Sequence, residues 1–116
     1  MAEISNIARP YAQAVFELAE SSGDFGHWSD ALRTMALVAA DPDIRALVNN
    51  PRISRRDTGR VFTDVCGDRI DGQGRNLIRL LAQNRRLHAL PAIEEQYETL
   101  RAEAERTIRA ELESAL

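Results

Sequence analysis

Between Asn76 and Pro91 the chain stops one amphipathic helix and starts another, and that break constrains the fold more than any other feature. Leu77, Ile78 and Leu81 recur at helical spacing, Asn84-Arg85-Arg86 interrupts the pattern, and Pro91 stands where a new helix can begin. Proline suits that place because a helix's first turn leaves its N–H groups unpaired anyway. Helices joined by such short loops pack together as a bundle. Aromatic residues are only 5% of the chain, so the core has to be built from Leu, Ile, Val and Ala, which favours close-packed helices over strands.

The same punctuation recurs along the whole sequence. A first helix is expected over about 5–21, capped by Ser5 or Asn6, with Pro10 in its first turn and Gly23 at its end. Asp24 caps a second over about 25–40, with Trp28, Ala31, Leu32, Met35, Val38 and Ala39 on one face. Asp41-Pro42 opens a short helix to about residue 49, which Pro51 prevents from continuing. Ser54 and Asp57 form a capping box for a helix over about 55–66 with Val61, Phe62, Val65 and Cys66 inward. A helix over about 73–84 follows, then a long one from Pro91 carrying Ile93, Tyr97, Leu100, Ala104, Ile108 and Leu112. The fold class is therefore all-α, a six-helix bundle.

At 116 residues the chain suffices for one domain. No apolar run approaches the roughly 20 residues needed to cross a bilayer, and no apolar segment follows Arg9 as a signal peptide requires. One cysteine cannot form an internal disulfide. A soluble, intracellular, monomeric domain is expected. All 15 basic residues are arginine, and they gather in the middle: residues 52–86 carry nine Arg against four acids, while both flanks are net acidic.

No arrangement for catalysis stands out. Asp71-Gly72-Gln73-Gly74 lacks the preceding strand and third glycine of a dinucleotide loop, and the ligands of a calcium loop. It reads as a turn opening a helix, its glycines supplying positive φ. Cys66 shares a face with Phe62 and Val65, which makes it a buried, inert thiol. His27 and His88 lack metal-ligand spacing, and Glu94 and Glu98 fall on a solvated helix face. The chain is expected to be no enzyme, with no cofactor, no metal and no catalytic residue.

Two surfaces remain. Arg52, Arg55, Arg56 and Arg60 surround a helix N-terminus, where positive charge opposes the helix dipole. A solvated face is the simplest reading of that cluster. The first helix, meanwhile, carries Ile7, Ala8, Tyr11, Ala12, Ala14, Val15, Phe16, Leu18 and Ala19 over more than half its circumference, and the helix at 73–84 offers Leu80 beyond its core residues. Helices this apolar are either deeply buried or lend a second face to a partner.

The runs Ala8-Arg9-Pro10-Tyr11-Ala12-Gln13-Ala14-Val15-Phe16-Glu17-Leu18-Ala19 and Asn76 to Pro91, with Trp28, Phe62 and Val65-Cys66-Gly67, resemble the delta subunit of the F-type ATP synthase, called OSCP in mitochondria. The resemblance implies a six-helix domain over residues 1–106. Residues 107–116 would be the end of the last helix or the start of a C-terminal domain that this chain lacks, frayed or non-natively packed beyond about Arg109. It implies a peripheral-stalk (stator) subunit that binds the N-terminal helix of an alpha subunit between its first and fifth helices. Such a joint holds the catalytic head against rotation during proton-driven ATP synthesis, at the cytoplasmic face of the bacterial plasma membrane and without inserting into it. By position, the partner-binding residues would be Tyr11, Ala14, Val15, Leu18, Asn76, Leu80 and Gln83. Binding of the stalk's b subunits would belong to the missing domain. Arg85 stands where many members of that family have glycine. The alternative is a helical RNA-binding domain of the transcription-antitermination type, supported by the basic middle segment but opposed by the acidic flanks, so no nucleic acid is expected as a partner.

Overall fold

A computed structural model describes residues 2–116. It contains α1 (Ala2–Ser22), α2 (Phe25–Ala40), α3 (Pro42–Val48), α4 (Arg55–Cys66), α5 (Gly72–Gln83) and α6 (Leu90–Ala115), with 3₁₀ turns at Gly67–Arg69 and Leu87–Ala89. There is no strand among the described residues, as the helical periodicity predicts.

The caps act largely as the sequence indicates. The side chains of Asp24, Asp41, Ser54 and Asp71 accept hydrogen bonds from the backbone N–H groups of His27, Asp43 and Ile44, Asp57, and Gly74 respectively. Each satisfies first-turn donors that have no partner within the helix. Asp57 turns instead to Arg60, 3.2 Å away, so the Ser54 capping box is only half formed.

Helix α1 begins earlier than its caps imply. Ser5 and Asn6 lie inside it, and Pro10 sits more than two turns in rather than in the first turn. Proline cannot donate to the carbonyl four residues back, but Asn6 and Pro10 are exposed, so water can reach that carbonyl.

The core forms where α6 lies against α1 and α2, with the α4–α5 hairpin closing one side. Ala8, Ala12, Val15 and Ala19 run along α1 at spacings of three and four, and all are buried. Their small side chains let neighbouring helices approach closely, and larger residues fill the centre: Leu32, Met35, Phe62, Ile78, Leu81, Ile93 and Tyr97. Tyr97 is fully enclosed, and its hydroxyl donates to the Phe25 carbonyl at 2.7 Å. Beside it, buried Ser29 accepts a 2.6 Å hydrogen bond from Arg101, which also holds Glu105.

Several local expectations need correction. Val61 and Val65 are exposed, so α4 turns only Phe62 and Cys66, with the small Thr58 and Gly59, inward. Gly72 and Gly74 do not supply positive φ, which among glycines occurs at Gly23 and Gly67. Gly74 is required for space: an added Cβ would lie 3.0 Å from the Ile70 Cβ and 3.2 Å from the Met35 Cε. Along α6, Leu100 and Ala104 are half-buried, whereas Ile108 and Leu112 are 52% and 60% exposed. The helix continues to Ala115, and from Glu105 onward its side chains are exposed.

Candidate partner-docking surface

Two apolar stripes flank the core without being closed by it. On α1, Ile7, Tyr11, Ala14 and Leu18 follow at spacings of four, three and four, one step around the helix from the buried alanine row. Ile7 and Tyr11 are half-buried, Ala14 is exposed and Leu18 is 47% exposed. On α5, Leu77, Leu80 and Asn84 follow at spacings of three and four; Leu77 is half-buried and Leu80 is 46% exposed. The two helices are not among the closely packed pairs. They are tied at one end by an Asn84 side-chain amide that donates to the Tyr11 hydroxyl at 2.9 Å.

The predicted residues thus divide into three groups. Tyr11, Ala14, Leu18 and Leu80 lie on these stripes. Val15 is 1% exposed and belongs to the core, where it supports the surface from beneath. Asn76 is exposed and accepts a 3.3 Å hydrogen bond from Arg79, while Gln83 lines a different cleft, between α5 and α4, where its carbonyl accepts from Arg55. Sequence reasoning missed Asn84 and gave Leu77 wholly to the core. The continuation of the Leu80 spacing to residues 77 and 84 carried the signal for both.

The end of α5 explains how Asn84 is aimed. Arg85 donates to the Ala82 carbonyl and Arg86 to the Leu81 carbonyl, the paired closure of a Schellman turn. That turn needs one residue in the left-handed region, and here it is Arg85 at φ 53°. Helix α1 closes in the same way, with Gly23 donating to Glu20 and Asp24 to Ala19, but there the residue at φ 75° is glycine. A side chain in this conformation is strained by roughly 1 kcal/mol relative to glycine. Arg85→Gly relieves that strain but adds entropy to the unfolded chain, so a net gain of less than about 1 kcal/mol is expected, read as a higher urea midpoint.

Asp71 ties α5 to α2. Its side chain accepts from the Gly74 N–H at 3.0 Å and meets His27 Nε2 at 2.8 Å. The backbone bond first, and His27 second, hold its carboxyl below the usual range. A carboxyl titrating lower when folded than when unfolded adds stability above its unfolded pKa and loses it as the pH falls through the folded value. Asp71→Ala is expected to cost about 1 kcal/mol near neutral pH as a lost N-cap. Urea melts should show the two proteins converging in acid.

Nothing near these stripes suggests chemistry. The Cys66 thiol is buried and pushed up to about 11 by desolvation, so it stays protonated near neutral pH. Glu94 and Glu98 are half-buried rather than solvated, and Glu94 is raised first by burial and then by Glu98. Among the described residues no cluster of His, Cys, Asp or Glu could hold a metal ion, and no helix is long and apolar enough to cross a membrane.

The chain is similar to known proteins along most of its length. Residues 7–116 match the family described as ATP synthase delta (OSCP) subunit. Proteins named ATP synthase subunit delta are similar along nearly the whole chain: 49% identity over 115 residues in Nitrosospira multiformis, 47% over 115 in Thioalkalivibrio sulfidiphilus and 43% over 116 in Methylobacillus flagellatus. The alignments cover 99–100% of this chain but 65% of each of those relatives. With a family match over residues 7–116, the chain belongs to the ATP synthase delta (OSCP) subunit family.

Proposed function

We propose that this chain is the helical domain of a non-catalytic stalk subunit of an F-type ATP synthase, and that it grips the N-terminal helix of an alpha subunit between α1 and α5. The observation that carries the reading is the pair of unclosed apolar stripes on these two helices, in a chain of this family. An amphipathic helix laid between them would cover Tyr11, Leu18 and Leu80, and Ala14, one turn from both Tyr11 and Leu18, leaves room for its backbone. The joint is mechanical. Burying apolar surface yields roughly 25 cal/mol per Å² and requires no bond-making, which suits a part that must resist torque rather than turn over substrate.

In this reading the domain covers about residues 1–106, and residues 107–116 of α6 lead toward a separate domain that contacts the b subunits. The protein reaches the membrane only through its partners, on the cytoplasmic side of a bacterial plasma membrane. The test is a titration of the isotopically labelled chain with a peptide from the alpha subunit's N-terminus, followed by amide NMR. Shifts concentrated on residues 7–18 and 77–84 are the expected result. Shifts concentrated elsewhere, or no binding at millimolar peptide, would overturn the proposal.

A further inference from the structure

On the other flank of α5, facing α4, lies a cleft of about 630 Å³ with a strongly cationic lining. Arg55, Arg56 and Arg60 of α4 and Arg75 and Arg79 of α5 contribute to it, and Asp64 is the one carboxylate in its wall. These arginines come from two helices, separated in sequence by the Gly67 turn, and only the hairpin brings them together. Arg60 is paired, with Asp57 at 3.2 Å. Arg55 and Arg75 donate to the backbone carbonyls of Gln83 and Ile70, and Arg79 to the Asn76 amide oxygen. None of these acceptors carries a full negative charge. Four of the five guanidiniums therefore lack a carboxylate within salt-bridge distance among the described residues.

The arrangement costs stability locally. Arg55 and Arg56 stand in the first turn of α4, where the dipole disfavours positive charge. The floor is small and apolar: an added Cβ on Gly59 would come 3.0 Å from the Ala82 Cβ, so the two helices nearly touch at the bottom. The result is a trough with a close-packed floor and guanidinium walls, open to solvent.

We propose that this cleft docks an acidic helical segment of another protein, whose carboxylates pair with Arg56, Arg75 and Arg79. Guanidinium favours carboxylate through a planar, two-pronged hydrogen-bonding edge, and every basic residue here is arginine. The small floor admits a helix backbone, and α4, at 12 residues, offers a track of about 18 Å. Nucleic acid fits less well. The cleft lining contains no aromatic side chain on which a base could stack, and the acidic flanks of the chain would repel an extended polyanion. A short acidic segment meets only the local positive field. The site is separate from the α1–α5 surface and does not depend on the role proposed for it.

The probe is a synthetic peptide of about 14 residues, held helical by a covalent side-chain staple, with Glu at every third or fourth position so that the carboxylates share one face, titrated into the chain by calorimetry and NMR. Binding with amide shifts along 55–64 and 75–83 is expected, falling steeply as salt is raised. Arg56→Glu with Arg79→Glu should weaken it by about tenfold or more. Circular dichroism and the fluorescence of buried Trp28 would verify that this variant is folded; if it is not, Arg56→Gln with Arg79→Gln replaces it. Arg9→Glu with Arg106→Glu makes the same change in net charge away from the cleft and should leave the affinity within about twofold.

Equal weakening by that control would mean nonspecific attraction and overturn the proposal, as would equal binding of a peptide with Gln in place of Glu. Tighter binding of a single-stranded RNA of matched charge would overturn it in favour of nucleic acid. Concentration-dependent dimerisation through the cleft, seen by sedimentation without peptide, would identify a second copy as the occupant and likewise overturn it.

Discussion

Ala14→Asp is expected to abolish binding of an alpha-subunit N-terminal peptide while leaving the domain folded. Ala14 is exposed in the free chain, between half-buried Tyr11 and 47%-exposed Leu18. An aspartate there stays hydrated until a helix docks over it, so the folded state loses only the helix-propensity difference, about 0.7 kcal/mol. Docking would strip water from an unpaired carboxylate, and that desolvation should remove several kcal/mol of binding, on the order of a hundredfold or more in Kd. Leu80→Asp probes the facing stripe on α5 in the same way. Calorimetry with the peptide reads the loss, and Trp28 fluorescence, from a residue 2% exposed, reports the fold. An unfolded Ala14→Asp protein would place Ala14 in the core and remove the groove. A folded protein with unchanged affinity would move the docking site off α1.

Tyr97→Ala should be the most damaging single change to the fold. The ring lies fully buried on α6 where that helix meets α2 and α1, and its hydroxyl adds a hydrogen bond to the Phe25 carbonyl at the start of α2. Truncation leaves a cavity and removes a second hydrogen bond to a carbonyl that already accepts within α2. Comparable aromatic deletions cost about 3–5 kcal/mol, a large share of the roughly 5–15 kcal/mol that holds a domain folded. Tyr97→Phe separates the two contributions. It keeps the packing and removes only the hydrogen bond, for an expected loss of about 1 kcal/mol. Urea midpoints of the three proteins measure both differences. A Tyr97→Ala protein within about 1 kcal/mol of the original would mean that the α2–α6 seam is not the centre of the core.

The two stripes bear differently on these experiments. Exposed apolar residues occur singly on any soluble surface, and Leu37 is exposed in that way. Leu18 and Leu80 differ because each continues a row of its helix, and the Asn84–Tyr11 hydrogen bond ties the two rows together at one end. That bond depends on the Schellman turn held by Arg85, so a strained backbone position is connected directly to the candidate site. Arg85→Gly relieves the strain and keeps the turn, since glycine adopts the same conformation.

Six helices, most of their caps and most of α2's buried face were legible in the residues. Asp24, Asp41 and Ser54 announce helix starts through a local rule, in which a short polar side chain satisfies a first-turn donor, and Asp71 follows the same rule although its glycine-rich neighbours masked it. Trp28, Ala31, Leu32, Met35 and Ala39 announce an inner face through the helical period. Local rules failed where local signals competed. Ser5, Asn6 and Pro10 look like a helix start, yet α1 continues past all three toward the N-terminus. Periodicity also says which residues share a face, but not which direction the rest of the molecule occupies. That direction divided the wide apolar arc of α1 into a buried row at Ala8, Ala12, Val15 and Ala19 and an open one at Ile7, Tyr11, Ala14 and Leu18. It also turned Val61 and Val65 outward, moved Gln83 to the far flank of α5, and gathered arginines from α4 and α5 around one cleft. The chain determines each helix and its phase through contacts three or four residues apart. Only tertiary packing, through contacts between residues tens of positions apart, decides which faces are covered and which remain open.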